Sequence, residues 1–477
     1  MHSDILDYSF LFQLFSLTLQ RNCICYWTVH LWRRKRSISA FLFGNSKKKQ
    51  YLCRLVVAPM GVLPICKMAL NYIWIGLILL AVVMGCVQFF YFGQSDIFSA
   101  ILNSTFVSAK TGFEISIGLT GVLALWLGIM KIGEQAGVVH QMSRLVTPFF
   151  SRIFPELPKG HPAFGSMLMN ISATMLGIDN AATPLGLEAM REMQESNPDK
   201  TRASNSMIMF MVLVTSGLTL VPVSIMTYRA QLGAANPADV FLPILLSTYF
   251  AAMAGLVSVA IVQKINLFDK VILGTIGGLT LFVGLVIWAA MSQPQEVVSK
   301  WSGIIASVLL LGVICWFVIA GIVKHINVYD AFIDGAKDGF KTAVGIIPYL
   351  IAMLVAVGMF RASGAMDLLV SGVAWLFALC GLNTDFVPAL PTALMRPLSG
   401  SGARGLMVDA MMQYGADSFV GRLVSIVQGS TDTTFYILAV YFGSINIKDT
   451  RYAVVCGLIA DFFGMVAAIL LGYLFFH

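Results

Sequence analysis

Leu423-Val424-Ser425-Ile426-Val427-Gln428-Gly429-Ser430-Thr431-Asp432-Thr433-Thr434-Phe435-Tyr436-Ile437-Leu438-Ala439-Val440 has the length of a membrane-crossing helix and the wrong centre for one. Seven consecutive small or polar residues, Gln428 to Thr434, lie between two apolar flanks. Hydroxyls, an amide and a carboxylate at mid-span are costly in lipid. Either these oxygens coordinate a polar substrate or a hard cation, or Ser, Thr and Gly act as packing glue between helices. The carboxylate of Asp432 favours the first reading, which makes Gln428, Ser430, Thr431, Asp432 and Thr433 candidate substrate-binding residues.

The rest of the chain confirms that the flanks belong in a membrane. Of 477 residues, 58% are hydrophobic and 12% charged, with mean hydropathy +0.81. Soluble domains carry about 25% charged residues. The apolar content comes in runs long enough to cross a bilayer, without the period-2 alternation of barrel strands. Candidate spans are Ala69–Phe92, Phe113–Ile132, Met207–Met226, Val240–Val262, Val271–Met291, Ile304–Val323, Thr342–Phe360, Leu368–Leu382, Leu423–Tyr441 and Ala453–Phe476. Val138–Phe154 is amphipathic and suits the membrane surface.

The chain repeats itself. Ala109-Lys110-Thr111-Gly112-Phe113 matches Ala336-Lys337-Asp338-Gly339-Phe340, an offset of 227 positions from Ala109 to Ala336. Gly186-Leu187-Glu188-Ala189-Met190 matches Gly405-Leu406-Met407-Val408-Asp409-Ala410-Met411, and Val214-Thr215-Ser216-Gly217 matches Val427-Gln428-Gly429-Ser430. The ordered matches divide the chain into a first half, 68–265, a linking span within 266–299, and a second half, 300–477. Repeats of this kind mark transporter-like folds. Four clear spans plus the linker make five, an odd number, which favours inverted halves; a crossing of the broken segment Pro162–Pro184 would make the total even and the halves parallel.

Two further segments are apolar but broken. In Asn170–Pro184 a glycine, a proline and several polar groups interrupt a helix, with Asn170, Asp179, Asn180 and Thr183 as candidate ligands. It is either a cavity-lining break or an apolar loop; helix ends exposed by such a break can bind ligand or ion. In Met395–Arg404, Arg396 and Arg404 bracket Ser399-Gly400-Ser401-Gly402. Backbone N–H groups and guanidinium there make an anion-friendly concavity with Ser399 and Ser401, or a cytoplasmic loop obeying the positive-inside rule.

The formal net charge of +7 is largely local, in Arg33–Arg36 and Lys47–Lys49. Basic clusters beside membrane spans set topology or meet anionic lipid, so no nucleic-acid partner is expected. Residues 1–67 hold both clusters and ragged apolar stretches. They are expected to be an atypical basic extension, either translated upstream sequence preceding a natural start at Met68 or Met60 or a genuine extension with an extra membrane-associated helix. None of the eight cysteines forms a Cys-x-x-Cys pair, and no zinc, lipase or nucleotide motif occurs. An enzyme, a cofactor and a metal centre are therefore not expected.

Gly177-Ile178-Asp179-Asn180-Ala181-Ala182-Thr183-Pro184-Leu185-Gly186-Leu187-Glu188-Ala189-Met190 resembles the signature of the spore maturation protein A family. Arg396-Pro397-Leu398-Ser399-Gly400-Ser401-Gly402-Ala403 and Gln428-Gly429-Ser430-Thr431-Asp432-Thr433-Thr434-Phe435-Tyr436 resemble that of spore maturation protein B. Both belong to the nucleoside-recognition, or Gate, domain family, related to concentrative nucleoside transporters and ferrous iron transporter B. The resemblance covers about residues 68–477 and has the form of a fusion. The family commonly has glycine where Asp179 stands, which sets Asp179 outside the shared pattern. The resemblance implies an all-α integral membrane protein with two Gate-like halves, broken or re-entrant helices and about 8–10 transmembrane helices. It implies a multi-pass protein of the bacterial cytoplasmic membrane, in contact with lipid and open to oligomerisation. The expected activity is transport or binding of a small polar solute such as a nucleoside, with a coupling cation as a further expected partner. The alternative is a non-transporting factor in cell-envelope or spore-cortex maturation.

Overall fold

The structure, a computed structural model, describes residues 63–477 except 159–160, 177–178, 218, 380 and 382. The side chains of residues 63–70, 145, 179–181, 295–296 and 299 also lie outside the described set, as does nearly all of the 1–67 extension. The first half contributes α1 (Leu63–Phe92), α2 (Ile97–Gln135), α3 (Val138–Ile153), α4 (Pro162–Met175), α5 (Asp179–Ser196), α6 (Asn205–Thr215), α7 (Val223–Gln231) and α8 (Phe241–Gln263). Next comes α9 (Lys270–Met291). The second half follows with α10 (Gln295–Val323), α11 (Val328–Ala362), α12 (Ala365–Leu379), a 3-10 turn at Val387–Ala389, α13 (Leu390–Met395), α14 (Gly400–Tyr414), α15 (Phe419–Ser430), α16 (Thr434–Ser444) and α17 (Ala453–Phe476).

Among the described residues, seven helices are long and apolar enough to cross a membrane: parts or all of α1, α2, α8, α9, α10, α11 and α17. Their outer faces are large and apolar, as at Phe90, Leu281, Trp288 and Val308. Such surface is incompatible with water and natural in lipid. Around the inner helix α6 the pattern reverses: Met207 to Val212 are all buried, as expected of a helix apolar on every side.

Two expected spans are not continuous helices. Met207–Met226 is cut into α6 and α7, because Gly217 takes φ +62° and Pro222 brings no N–H to continue a helix. Leu423–Tyr441 is cut into α15 and α16, with Thr431 fully extended at φ −144°, ψ 177°. Leu368–Leu382 becomes α12, 15 residues long. At 1.5 Å per residue it covers roughly 22 Å, short of the hydrocarbon core. The expected breaks do occur: α4 gives way to α5 after Met175, and α13 to α14 across Arg396–Ser399. Ser399 ends the second break by capping α14, accepting from Gly402 N at 3.0 Å.

The two halves are inverted. The helices α2 and α11 carry the first sequence repeat, and they pack antiparallel. Gly335 meets Leu127 and Lys131, Gly339 meets Ala124, and Gly112 meets Ile351. The offset of 227 carries Gly112 onto Gly339 and Ala124 onto Ile351, so one contact is the symmetry mate of the other. That reciprocity is the mark of a two-fold axis. The last helices of the halves agree. Helices α8 and α17 also pack antiparallel, with Ala251 beside Gly464 and Gly255 beside Ala460. The offset of 213, from Val214 to Val427, makes Gly464 the counterpart of Ala251.

Candidate functional site

The breaks in the helices converge. Asp432 N donates to Thr215 O at 2.8 Å, tying the α15–α16 break to the end of α6. Leu220 N donates to Met175 O at 2.8 Å, tying the α6–α7 break to the end of α4. Phe435 N donates to Pro397 O at 3.1 Å, which brings in the α13–α14 break. Backbone groups freed by unwinding are thus satisfied by one another within protein, where lipid could not serve them.

A cavity of about 210 Å³ lies against this junction. Its polar wall includes Arg396, Arg404, Gln428, Thr431 and Asp432 from the second half, and Thr174, Thr219 and Ser224 from the first. Arg396 Nε donates to Thr431 O at 2.9 Å, Nη2 donates to the same oxygen, and Nη1 reaches Thr433 Oγ1 at 3.4 Å. Its guanidinium also lies 3.6 Å from Asp432. Asp432 Oδ1 accepts from Thr433 N at 2.7 Å. Arg404 is half-buried, faces the cavity and has no hydrogen-bond or ion-pair partner among the described residues.

Other candidate residues lie elsewhere. Ser399 and Ser401 hydrogen-bond each other at 3.3 Å at the cap of α14. Ser430 donates to Val427 O within its own helix. Asn170 staples the α4–α5 hairpin, donating to Ala182 O at 2.6 Å and approaching the Tyr441 hydroxyl at 3.5 Å. Thr183 is exposed beside Tyr441. The side chains of Asp179 and Asn180 lie outside the described residues.

One carboxylate adjoining the cavity escaped the sequence reading. Asp461, in the first half of α17, is 3% exposed, and among the described residues neither of its oxygens has a hydrogen-bond partner. Gly457 and Gly464 flank it, packed against the methyls of Thr434 and Thr431. A single acid in an otherwise apolar span was the signal available.

A second charged cluster joins the halves. Arg229, on α7, donates to Asp239 Oδ1 at 2.9 Å, Asp417 Oδ1 at 3.1 Å and Ala416 O at 2.6 Å. Arg422 Nε donates to Asp239 Oδ2 at 2.7 Å. Asp417 Oδ2 accepts from Ala235 N at 2.8 Å.

Comparison with known proteins agrees with the expected resemblance. A family model described as Gate, nucleoside recognition, matches residues 116–232 and 343–448, which contain every helix break above. Over 182 residues the chain is 41% identical to spore maturation protein B of Bacillus subtilis (strain 168), covering 38% of this chain and 98% of that protein. Over 187 residues it is 36% identical to spore maturation protein A of the same organism, covering 39% of this chain and 92% of that protein. No solved structure matches the chain.

Proposed function

This chain belongs to the Gate, nucleoside-recognition, family, in company with the spore maturation proteins, and from that premise we propose that it binds and transports a small polar solute. The observation that supports this reading is Arg404, an unpartnered cation facing a membrane-embedded cavity that also presents Arg396, Gln428 and Asp432. Guanidinium and carboxylate side by side suit a solute carrying both hydrogen-bond acceptors and hydroxyls, and a nucleoside is such a solute. The role is non-catalytic, and its setting is the bacterial cytoplasmic membrane. The test is uptake of a radiolabelled metabolite panel, led by nucleosides, into proteoliposomes. Saturable uptake that falls in Arg404→Gln is the expected result; neither uptake nor binding across the panel overturns it. A second reading takes its support from the names of the two relatives: a non-transporting membrane factor in envelope or spore-cortex maturation. It predicts an Arg404→Gln variant that still complements a deletion strain.

A further inference from the structure

Asp461 lies behind the solute cavity, separated from it by Arg396 and Thr431, which line both spaces. The space bounded by Arg396, Ser430, Thr431 and Asp461 has no room for a water molecule. An ionised carboxylate buried there without a partner is far costlier than a neutral carboxyl. A proton occupies no volume and removes the charge. The surrounding groups are nevertheless suited to the ionised form. Arg396 and Asp432 are the charged groups facing Asp461, and Thr431 and Thr434 are its hydroxyl neighbours. Thr434 Oγ1 is buried without a hydrogen-bond partner among the described residues. Helices α6 and α8 bring Thr215, Ala251 and Gly255 to this face of α17. Of the other ionisable groups on adjoining helices, Tyr249 is engaged with Thr280, Tyr441 with Asn170 and Arg422 with Asp239, while Tyr436, Lys270 and Lys300 are exposed on the outside.

We propose that Asp461 is a proton-carrying site coupled to the cavity through Arg396. With the proton on, Arg396 is held by Thr431 O and Asp432. When the Asp461 O–H bond breaks, the proton leaves to water in the cavity and the carboxylate keeps the electron pair. Arg396 and the Thr434 hydroxyl then turn to the carboxylate, and the grip on the α15–α16 break is released. A solute that engages Arg396 from the cavity holds the guanidinium away and keeps the proton in place. By reciprocity, proton and solute favour each other's binding. This coupling rests on the solute reading; the proton site does not.

Infrared spectroscopy of the full chain in lipid tests both parts separately. The expected wild-type spectrum at neutral pH contains the C=O stretch of a protonated carboxyl that is lost in Asp461→Asn and shifted in frequency in Asp461→Glu. The glutamate variant serves if the asparagine variant fails to fold. Absence of such a band overturns the proposal. So does a melting temperature raised by sodium over choline in wild type but not in Asp461→Asn, which would make the carboxylate a metal-cation ligand. Titrated to alkaline pH, the band should disappear, and saturating uridine should let it persist about one pH unit higher, a tenfold coupling. A titrating band indifferent to uridine and to every nucleoside of the panel overturns the coupling and leaves the proton site standing.

Discussion

Two buried polar regions of this molecule are built on opposite terms. In the Arg229 network both oxygens of each carboxylate are met by donors: those of Asp239 by Arg229 and Arg422, and those of Asp417 by Arg229 and the backbone N–H of Ala235. In the region around the helix breaks, both oxygens of Asp461, Gln428 Oε1, Thr434 Oγ1 and Asn170 Oδ1 have no hydrogen-bond partner among the described residues. The network is not perfect, since Arg229 Nε is also unmatched, but its charges are compensated. Native interiors seldom leave polar atoms unmatched, and where they do a reason other than stability is needed. The comparison separates a polar cluster whose charges are matched across the halves from one whose polar atoms are left open, as the proposed solute site requires.

The most severe way to break this comparison is to remove Arg229, which is 0% exposed. Arg229→Met keeps bulk and leaves Asp239 and Asp417 with reduced compensation. Breaking a buried pair from one side costs about 3–5 kcal/mol. Unfolding in denaturing detergent should show a loss of that size. A loss below about 1 kcal/mol would put the network on the same footing as the polar centre and remove its structural role.

A test of the apolar contact between the halves comes next in size. A Cβ on Gly339 would stand 2.6 Å from Ala124 Cα, against backbone that cannot swing aside. Gly339→Ala should cost about 1–3 kcal/mol by overpacking. Melting of this variant beside Arg229→Met ranks close helix packing against charge pairing as the fastening between halves. An unchanged melting temperature would mean that α2 and α11 can part enough to admit a methyl group and do not fasten the halves.

How much of this was legible beforehand follows from the locality of each signal. Arg396, Gln428, Thr431 and Asp432 announce themselves as polar residues in apolar surroundings, and they do line the cavity. The α6–α7 break carries a weak signal because Met207–Val214 is apolar and Leu218, Leu220, Val221 and Val223 carry the apolar run past Thr215-Ser216-Gly217, with polar residues only singly interspersed. Asp461 makes no polar tract; its importance comes from what α17 packs against. Ser399 and Ser401 have the right chemistry for an anion site, but a helix N-terminus uses Ser399 as its cap. The Arg229 network joins positions 229 and 239 to 417 and 422, and no local pattern specifies a pairing across nearly 190 residues.

A charge can be deleted from the polar centre without touching its shape. Asp432→Asn keeps an oxygen able to accept from Thr433 N and removes the negative charge facing the cavity. Interhelical polar contacts in membranes average about 0.6 kcal/mol, so melting should move little. Solute binding should fall by tenfold or more, about 1.4 kcal/mol. Equilibrium binding of uridine and the rest of the panel, measured beside melting temperature, decides the point. A large loss of stability with binding intact would assign the tract to packing and erase the contrast with the Arg229 network.

The smallest expected effect is also the one with an unusual sign. Thr227 and Thr434 are both buried threonines, but Thr227 Oγ1 donates to Val223 O at 2.9 Å whereas Thr434 Oγ1 has no partner. Thr→Val keeps shape and deletes the hydroxyl. At Thr227 the change removes a made hydrogen bond and should cost about 0.5–1.5 kcal/mol. At Thr434 it removes an unmatched polar atom, so it should be neutral or stabilising by up to about 1 kcal/mol. If the hydroxyl waits for the ionised form of Asp461, Thr434→Val should lower uptake while leaving the fold as stable or more so. Paired melting curves and uptake rates for the two variants read this directly. Two equal losses of stability would mean that Thr434 is satisfied like Thr227. A stabilised Thr434→Val with full uptake would mean that its unmatched hydroxyl serves no function.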